Sequence, residues 1–365
     1  MKRSSRAHRR LPKIRKGQPS AELTEQVFAR RLDAHFVDPN FARDQQALAS
    51  IARTAWENYR SGRKSPLTHP AGQGFADPGY DLSDDWRAAR RAVDRAARKQ
   101  RDPKSRARVL LVCASPRNDK TCPGEMSKTY RLCAVARNAL RAGRCDVDLL
   151  DLSHLASEYG RVIYPCKGCV STAMPLCHWP CSCYPNHGLG QTGDWMHEIY
   201  PRWVAAHGVM IVSPVHWYQA PSGLKLMMDR LVCADGGNPD PTSTHGKNAR
   251  EAKALELAGW PYPRHRAGRA FAVVVHGDAA GAEGLRRALV DWLNDMHLVQ
   301  AGRVAALDRY VGYYDPYATS HEALDADEAL RTEVRNAALS LARQIARSRR
   351  GARDLAAGLL DPRQK

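Results

Sequence analysis

The 365-residue chain lacks several features, and each absence removes a class of chemistry. No apolar run approaches the roughly 20 residues of a bilayer-spanning helix, and the start is charged where a secretory signal would be apolar. The expectation is a soluble cytoplasmic protein with no membrane insertion. Neither G-x-x-x-x-G-K-[ST] nor G-x-G-x-x-G occurs, which argues against an ATP loop and the usual dinucleotide fingerprint. No internal repeat is apparent. Ten cysteines are too few for a disulfide scaffold, and half of them crowd between Cys166 and Cys183, which suits a reducing compartment and a local function. No acidic residue precedes Glu22, whereas the first 16 residues hold eight Lys or Arg, so almost half of the +18 net charge is a tail. A basic run without apolar period cannot bury a core, and 1–20 is expected to be disordered. Charge without a recognition module gives only non-specific attraction, so nucleic acid is not an expected partner.

Patterned sequence begins at Ala21. Leu23, Val27, Phe28 and Leu32, then Ala47, Ile51 and Ala55, fit helices broken near Asp38 and Pro39. A Pro- and Gly-rich strap over 61–83 precedes renewed helical spacing at Trp86, Ala89, Val93 and Ala97. Residues 21–105 therefore read as a helical extension, 106–348 as the core and 349–365 as a C-terminal tail. In the core, apolar runs at 109–113, 145–150, 208–213 and 269–276, with a shorter one near 303–311, alternate with helical patterns at 127–140, 195–206, 223–233, 281–296 and 323–346. That alternation implies an α/β fold, a doubly wound parallel sheet of five strands with ligands at their carboxyl ends.

Three loops would meet at that edge. The first follows Arg108-Val-Leu-Leu-Val-Cys113 and carries Ser115, Thr121, Ser127 and Thr129, hydroxyls that with loop amides and a helix N-terminus can hold a single phosphate. The second, Pro214-Val-His-Trp-Tyr218, sets aromatics and backbone amides directly after a buried strand, which suits a flat hydrogen-bonding heterocycle. The third, His276-Gly-Asp-Ala-Ala-Gly281, is small enough for backbone to approach a ring closely.

Val-Cys-Ala-Ser-Pro-Arg117, then Ser-Pro-Val-His-Trp-Tyr218 followed by Pro-Ser-Gly-Leu-Lys225 and Asp-Arg-Leu231, resembles the NADPH-dependent FMN reductase family of the flavodoxin-like fold. The resemblance covers about 106–346. It implies that Ser115, Arg117 and a hydroxyl among Thr121, Ser127 and Thr129 hold the FMN phosphate. Pro214, Val215, His216, Trp217 and Tyr218 would line the isoalloxazine, with Gly277 and Asp278 closing the third side. Cys122-Pro-Gly-Glu-Met126 lengthens the phosphate loop beyond the short family form, which leaves open the hydroxyl that contacts phosphate. The implied activity is NAD(P)H oxidation through FMN, with electrons passed to a quinone, another small molecule or a protein. The flavin carries the chemistry, so no dedicated catalytic acid–base pair is expected. Aromatics over 310–317 suit a cofactor cover or, preferably, a subunit interface of a homo-oligomer.

Ile163-Tyr-Pro-Cys166-Lys-Gly-Cys169 resembles the start of the cysteine motif in iron–sulfur flavoproteins of the same fold. Cys166, Cys169, Cys177, Cys181 and Cys183 would then hold an iron–sulfur cluster or zinc, or act as free redox-active thiols. The alternative function that follows is an iron–sulfur flavoprotein electron carrier or redox sensor.

Overall fold

The first helix, α1 (Glu25–Asp33), starts where the Thr24 hydroxyl accepts from the Val27 amide. At the expected break, Asp38 accepts from the Asn40 amide and caps a 3-10 turn, Pro39–Asp44, before α2 (Gln45–Arg60). Neither helix buries a residue fully; they meet through Phe28, whose ring lies 5.4 Å from Trp56 and 5.2 Å from Tyr59. The strap contains a short antiparallel pair, β1 (Thr68–Pro70) and β2 (Asp81–Ser83). It leads into α3 (Asp84–Arg101), where Trp86, Ala89 and Val93 are buried at helical spacing.

This computed structural model describes residues 11–278, 280–313 and 315–351. The first ten residues of the basic tail and the end of the C-terminal tail lie outside them. The chain divides into two compact units: 11–90 with 166–194 and 236–262, and 91–165 with 195–235 and 263–351. Two stretches of the expected 106–348 core thus group with the N-terminal residues, a return that composition along the chain does not signal. In the first unit the Trp86 indole donates to the Pro180 carbonyl at 2.8 Å and Arg90 to the Pro239 carbonyl at 3.0 Å, which joins its three stretches.

The second unit runs β3 (Arg108–Cys113), α4 (Lys128–Ala142), β4 (Asp146–Asp151), α5 (His154–Ser157), α6 (Met196–Ala205), β5 (Gly208–Pro214) and α7 (Ser222–Arg230). After α8 (Ala249–Gly259), which belongs to the first unit, follow β6 (Ala270–Gly277), α9 (Ala282–Asp295), β7 (Val299–Gln300), β8 (Ala306–Tyr310), α10 (Ser320–Ala326) and α11 (Glu328–Arg349). All strands of this sheet pair in parallel in the order β4-β3-β5-β6-β7, and β8 also pairs with β6. That is the flavodoxin-like winding. The sheet has six strands where five were expected: Gly302, at φ +87°, and a 3-10 turn over Arg303–Ala305 divide the last edge position into two short segments.

Strands covered on both faces need near-continuous apolar runs. Val109, Leu111 and Cys113 of β3, Met210 and Val212 of β5, and Ala272 and Val274 of β6 share one buried cluster with Leu132 and Ala136 of α4 and Val334 and Leu341 of α11. The intervening residues Leu110, Val112, Ile211 and Val273 are equally buried and point to the opposite face. Among the described residues no helix is long and apolar enough to cross a membrane.

Candidate functional site

Strand order reverses between β3 and β5, and the loops after β3, β5 and β6 leave their carboxyl ends there, where doubly wound sheets bind ligands. A cavity of about 100 Å³ is lined by Ser115, Arg117, Ser127, Thr129, Pro214, Val215, His216, Gly277 and Asp278, nine of the twelve residues expected at the cofactor. Lys128, His276 and Tyr317 complete it. The remaining three do not line it. The Thr121 hydroxyl is taken up within its own loop, donating to the Asn118 carbonyl at 2.9 Å and accepting from the Asn118 amide at 3.0 Å. Trp217 and Tyr218, on the loop after β5, are 95% and 64% exposed.

The first loop is tied down by its own polar groups. The Asn118 amide group donates to Ser153 and Ser157, each at 2.8 Å, while Ser115 Oγ accepts from the Arg117 amide at 3.1 Å. Ser127 caps α4, accepting from the Tyr130 amide, which leaves its hydroxyl proton for another acceptor. Ser115, Ser127 and Thr129 are all buried. Lys128, 7% exposed, occupies the first helical position and meets Asp278 at 3.2 Å. A cation there opposes the helix dipole, a cost offset when an anion lies in front of both. Lys128 Nζ and the Arg117 guanidinium lie 5.1 Å and 5.3 Å from the Tyr317 ring centre, so two cations approach the same aromatic ring.

His276, at the end of β6, is 3% exposed. Its Nε2 lies 2.8 Å from Thr129 Oγ1, and its Nδ1 is buried without a hydrogen-bond partner. Burial, with Lys128 adding to it, pushes the imidazole down to about 3, so it is neutral at physiological pH. A neutral ring has one donor and one acceptor, and the orphan Nδ1 leaves one unspent. That is a buried polar atom awaiting a ligand or water group.

In the second loop, His216 and Gln219 exchange backbone hydrogen bonds at 2.9 Å around Trp217 and Tyr218, whose φ values are +46° and +65°. Bulky aromatics rarely hold such values, and strain of about 1–3 kcal/mol per residue concentrates at functional sites. Gly281 permits this turn: at φ +108°, a Cβ there would lie 2.7 Å from Tyr218 Cα. Sequence reasoning left Lys128, His276 and Tyr317 out of the assigned site residues. A lysine directly after a capping serine in an anion-binding loop was the available signal for the first, and Tyr317 has none beyond the 310–317 aromatics.

The five clustered cysteines lie in the first unit. Cys169 Sγ and Cys183 Sγ are 3.4 Å apart, Cys166 Sγ accepts from the Gly168 amide at 3.4 Å, and Cys181 Sγ from the Cys183 amide at 3.4 Å. Hydrogen bonding from Cys183, against burial and helped by Lys247, brings Cys169 down to about 6. Burial disfavours the Lys247 ammonium, but Cys183, Cys169, Cys181 and Cys177 together raise its pKa. Among the described residues, no three Cys, His, Asp or Glu side chains converge as a metal site.

The family model for the NADPH-dependent FMN reductases matches residues 107–311. No curated protein matches the chain. Similar solved structures include RosB with a bound 8-demethyl-8-formylriboflavin-5'-phosphate intermediate (11% identity, 71% of this chain and 91% of that one, TM-score 0.44). An oxidoreductase from Corynebacterium diphtheriae (13%, 66% and 97%, TM-score 0.37) and an azoreductase from Bacillus anthracis (14%, 64% and 99%, TM-score 0.35) are further examples.

Proposed function

The chain belongs to the NADPH-dependent FMN reductase family, and from that membership we propose that Ser115, Arg117, Ser127 and Thr129, with Lys128, hold the phosphate of its FMN. As an FMN-dependent oxidoreductase it uses NAD(P)H. When bound, FMN supplies the hydride acceptor and the outlet for electrons. The observation that carries the phosphate assignment is the convergence of buried hydroxyls, two cations and a helix N-terminus on one cavity. At about 100 Å³ the cavity is smaller than the roughly 300–1,000 Å³ of whole-ligand pockets, and it suits a phosphate whose attached ring lies outside it.

In this reading Pro214, Val215 and His216 present backbone to the ring edge, and Gly277 and Asp278 bound the other side. Lys128 neutralises phosphate charge while Asp278 keeps its ammonium oriented. The neutral His276 offers Nδ1 without adding charge. Trp217 and Tyr218 give an exposed aromatic shelf over which nicotinamide and then a quinone, another small molecule or a protein acceptor takes its turn.

Purified protein should carry near-stoichiometric FMN by absorbance and oxidise NADPH in steady state. Ser115→Asp sets like charge against the phosphate and should cut FMN occupancy at least about tenfold with circular dichroism unchanged. Stoichiometric flavin in that variant would overturn the phosphate assignment, and flavin-loaded protein that leaves NADPH unoxidised would overturn the direct hydride step.

A further inference from the structure

Cys169 and Cys183 lie 14 positions apart in the chain, and no group of the flavin site involves them. We propose that they form a reversible dithiol–disulfide pair oxidised by hydrogen peroxide, with Cys169 as the attacking thiolate and Cys183 as the resolving thiol.

The sulfurs stand at 3.4 Å, and a disulfide of about 2.05 Å requires them to approach by about 1.3 Å, within reach of side-chain rotation. Cys169 opens a 3-10 turn, Cys169–Ser171, and is only half-buried, so a small oxidant reaches it. Cys183 is 6% exposed, which shields it from direct attack and suits the resolving role. The neighbouring thiols are otherwise engaged: Cys166 and Cys181 each accept a backbone N–H. Lys247 favours the thiolate. Its ammonium donates to the Leu176 carbonyl at 2.6 Å, and Cys183, Cys169, Cys181 and Cys177 favour its charged form. A buried ammonium needs negative partners, and a thiolate beside a cation is the reactive form of cysteine.

In the first step Cys169 sulfur attacks one peroxide oxygen; the O–O bond breaks, hydroxide leaves and the sulfur becomes a sulfenic acid. Cys183 sulfur then displaces the sulfenic hydroxyl, which departs with the Cys183 thiol proton as water, and the S–S bond forms. The two sulfurs together lose two electrons and the peroxide gains two. Oxidation withdraws the Cys169 thiolate, a negative partner of Lys247.

The test uses the full-length protein, purified reduced and desalted, exposed to a small molar excess of hydrogen peroxide, alkylated, digested and mapped by mass spectrometry. The expected result is loss of two of the ten titratable thiols of the unfolded, reduced chain, one Cys169–Cys183 crosslink, and full reversal by dithiothreitol. Cys183→Ser should accumulate a dimedone-reactive sulfenic acid at position 169, and Cys169→Ser should give none at position 183. A crosslink between other cysteines, or ten thiols surviving peroxide, would overturn the pair. So would near-stoichiometric iron or zinc bound through these thiols in the isolated protein. The wild-type map needs no variant to fold.

Discussion

The Thr129 hydroxyl and His276 Nε2 lie 2.8 Å apart, both side chains almost wholly buried, and they tie the first turn of α4 to the end of β6. The two residues are 147 positions apart, so the bond fixes the spacing of two loops that no local turn could set.

Thr129→Val should keep the side-chain shape and leave a second nitrogen of His276 unpaired. The expected loss is about 1–3 kcal/mol of unfolding free energy with weaker FMN retention, and Thr129→Ser should restore most of both. Urea unfolding of the three proteins, with flavin content by absorbance, decides it; a valine variant as stable as wild type would remove the bond from the account.

His276 also sets a pH dependence. Its folded value, about 3, lies below the ordinary histidine value of 6.5, chiefly through burial. The folded protein therefore binds fewer protons than the unfolded chain between those values, and stability rises with pH across that window. The contribution is whole above about pH 6.5 and is lost progressively as pH falls toward 3. His207, pushed to about 4 first by burial and then by Arg349, acts in the same direction. Between pH 7 and 4.5, His276→Gln should lose about 2 kcal/mol less stability than wild type. Parallel curves for the two proteins would show that the ring is not a neutral buried group.

Gly281→Ala should disturb the β5 loop from a distance in sequence. The added Cβ meets the Tyr218 backbone, and φ of +108° is strained for alanine, so a cost of about 1–3 kcal/mol is expected. NADPH oxidation should fall by about tenfold or more as Trp217 and Tyr218 shift. Unchanged turnover would separate that aromatic turn from the reaction.

What could be read along the chain was what is local. β3, β5 and β6 are unbroken apolar runs, and the hydroxyl loop follows its strand within a few residues, so both show in the order of residue types. β7, with two residues, is too short to carry a pattern. Lys128 reads as an ordinary first-turn lysine until Asp278, 150 positions on, is placed beside it. Thr121 is indistinguishable from Ser127 in composition; the difference is that Asn118 has already taken its hydroxyl. In the cysteine stretch the two-residue spacing draws attention to Cys166 and Cys169, whereas the close sulfur contact joins Cys169 to Cys183.

The three-stretch construction of the first unit bears on how the chain is made. The Trp86 indole finds Pro180 across 94 positions, and the Ala76 and Asp77 amides find Asp240 and Thr242 across 164 and 165. Closing such loops adds little to the equilibrium cost, because loop entropy grows only with the logarithm of length. It weighs on the rate, since contacts this distant in sequence slow the search for the native arrangement. During synthesis the N-terminal hundred residues leave the ribosome well before Asp240 and Thr242 exist. Trp86 waits for Pro180, 94 residues behind it, and the Ala76 and Asp77 amides wait for partners 164 and 165 residues behind them, so that segment stays incompletely paired the longest.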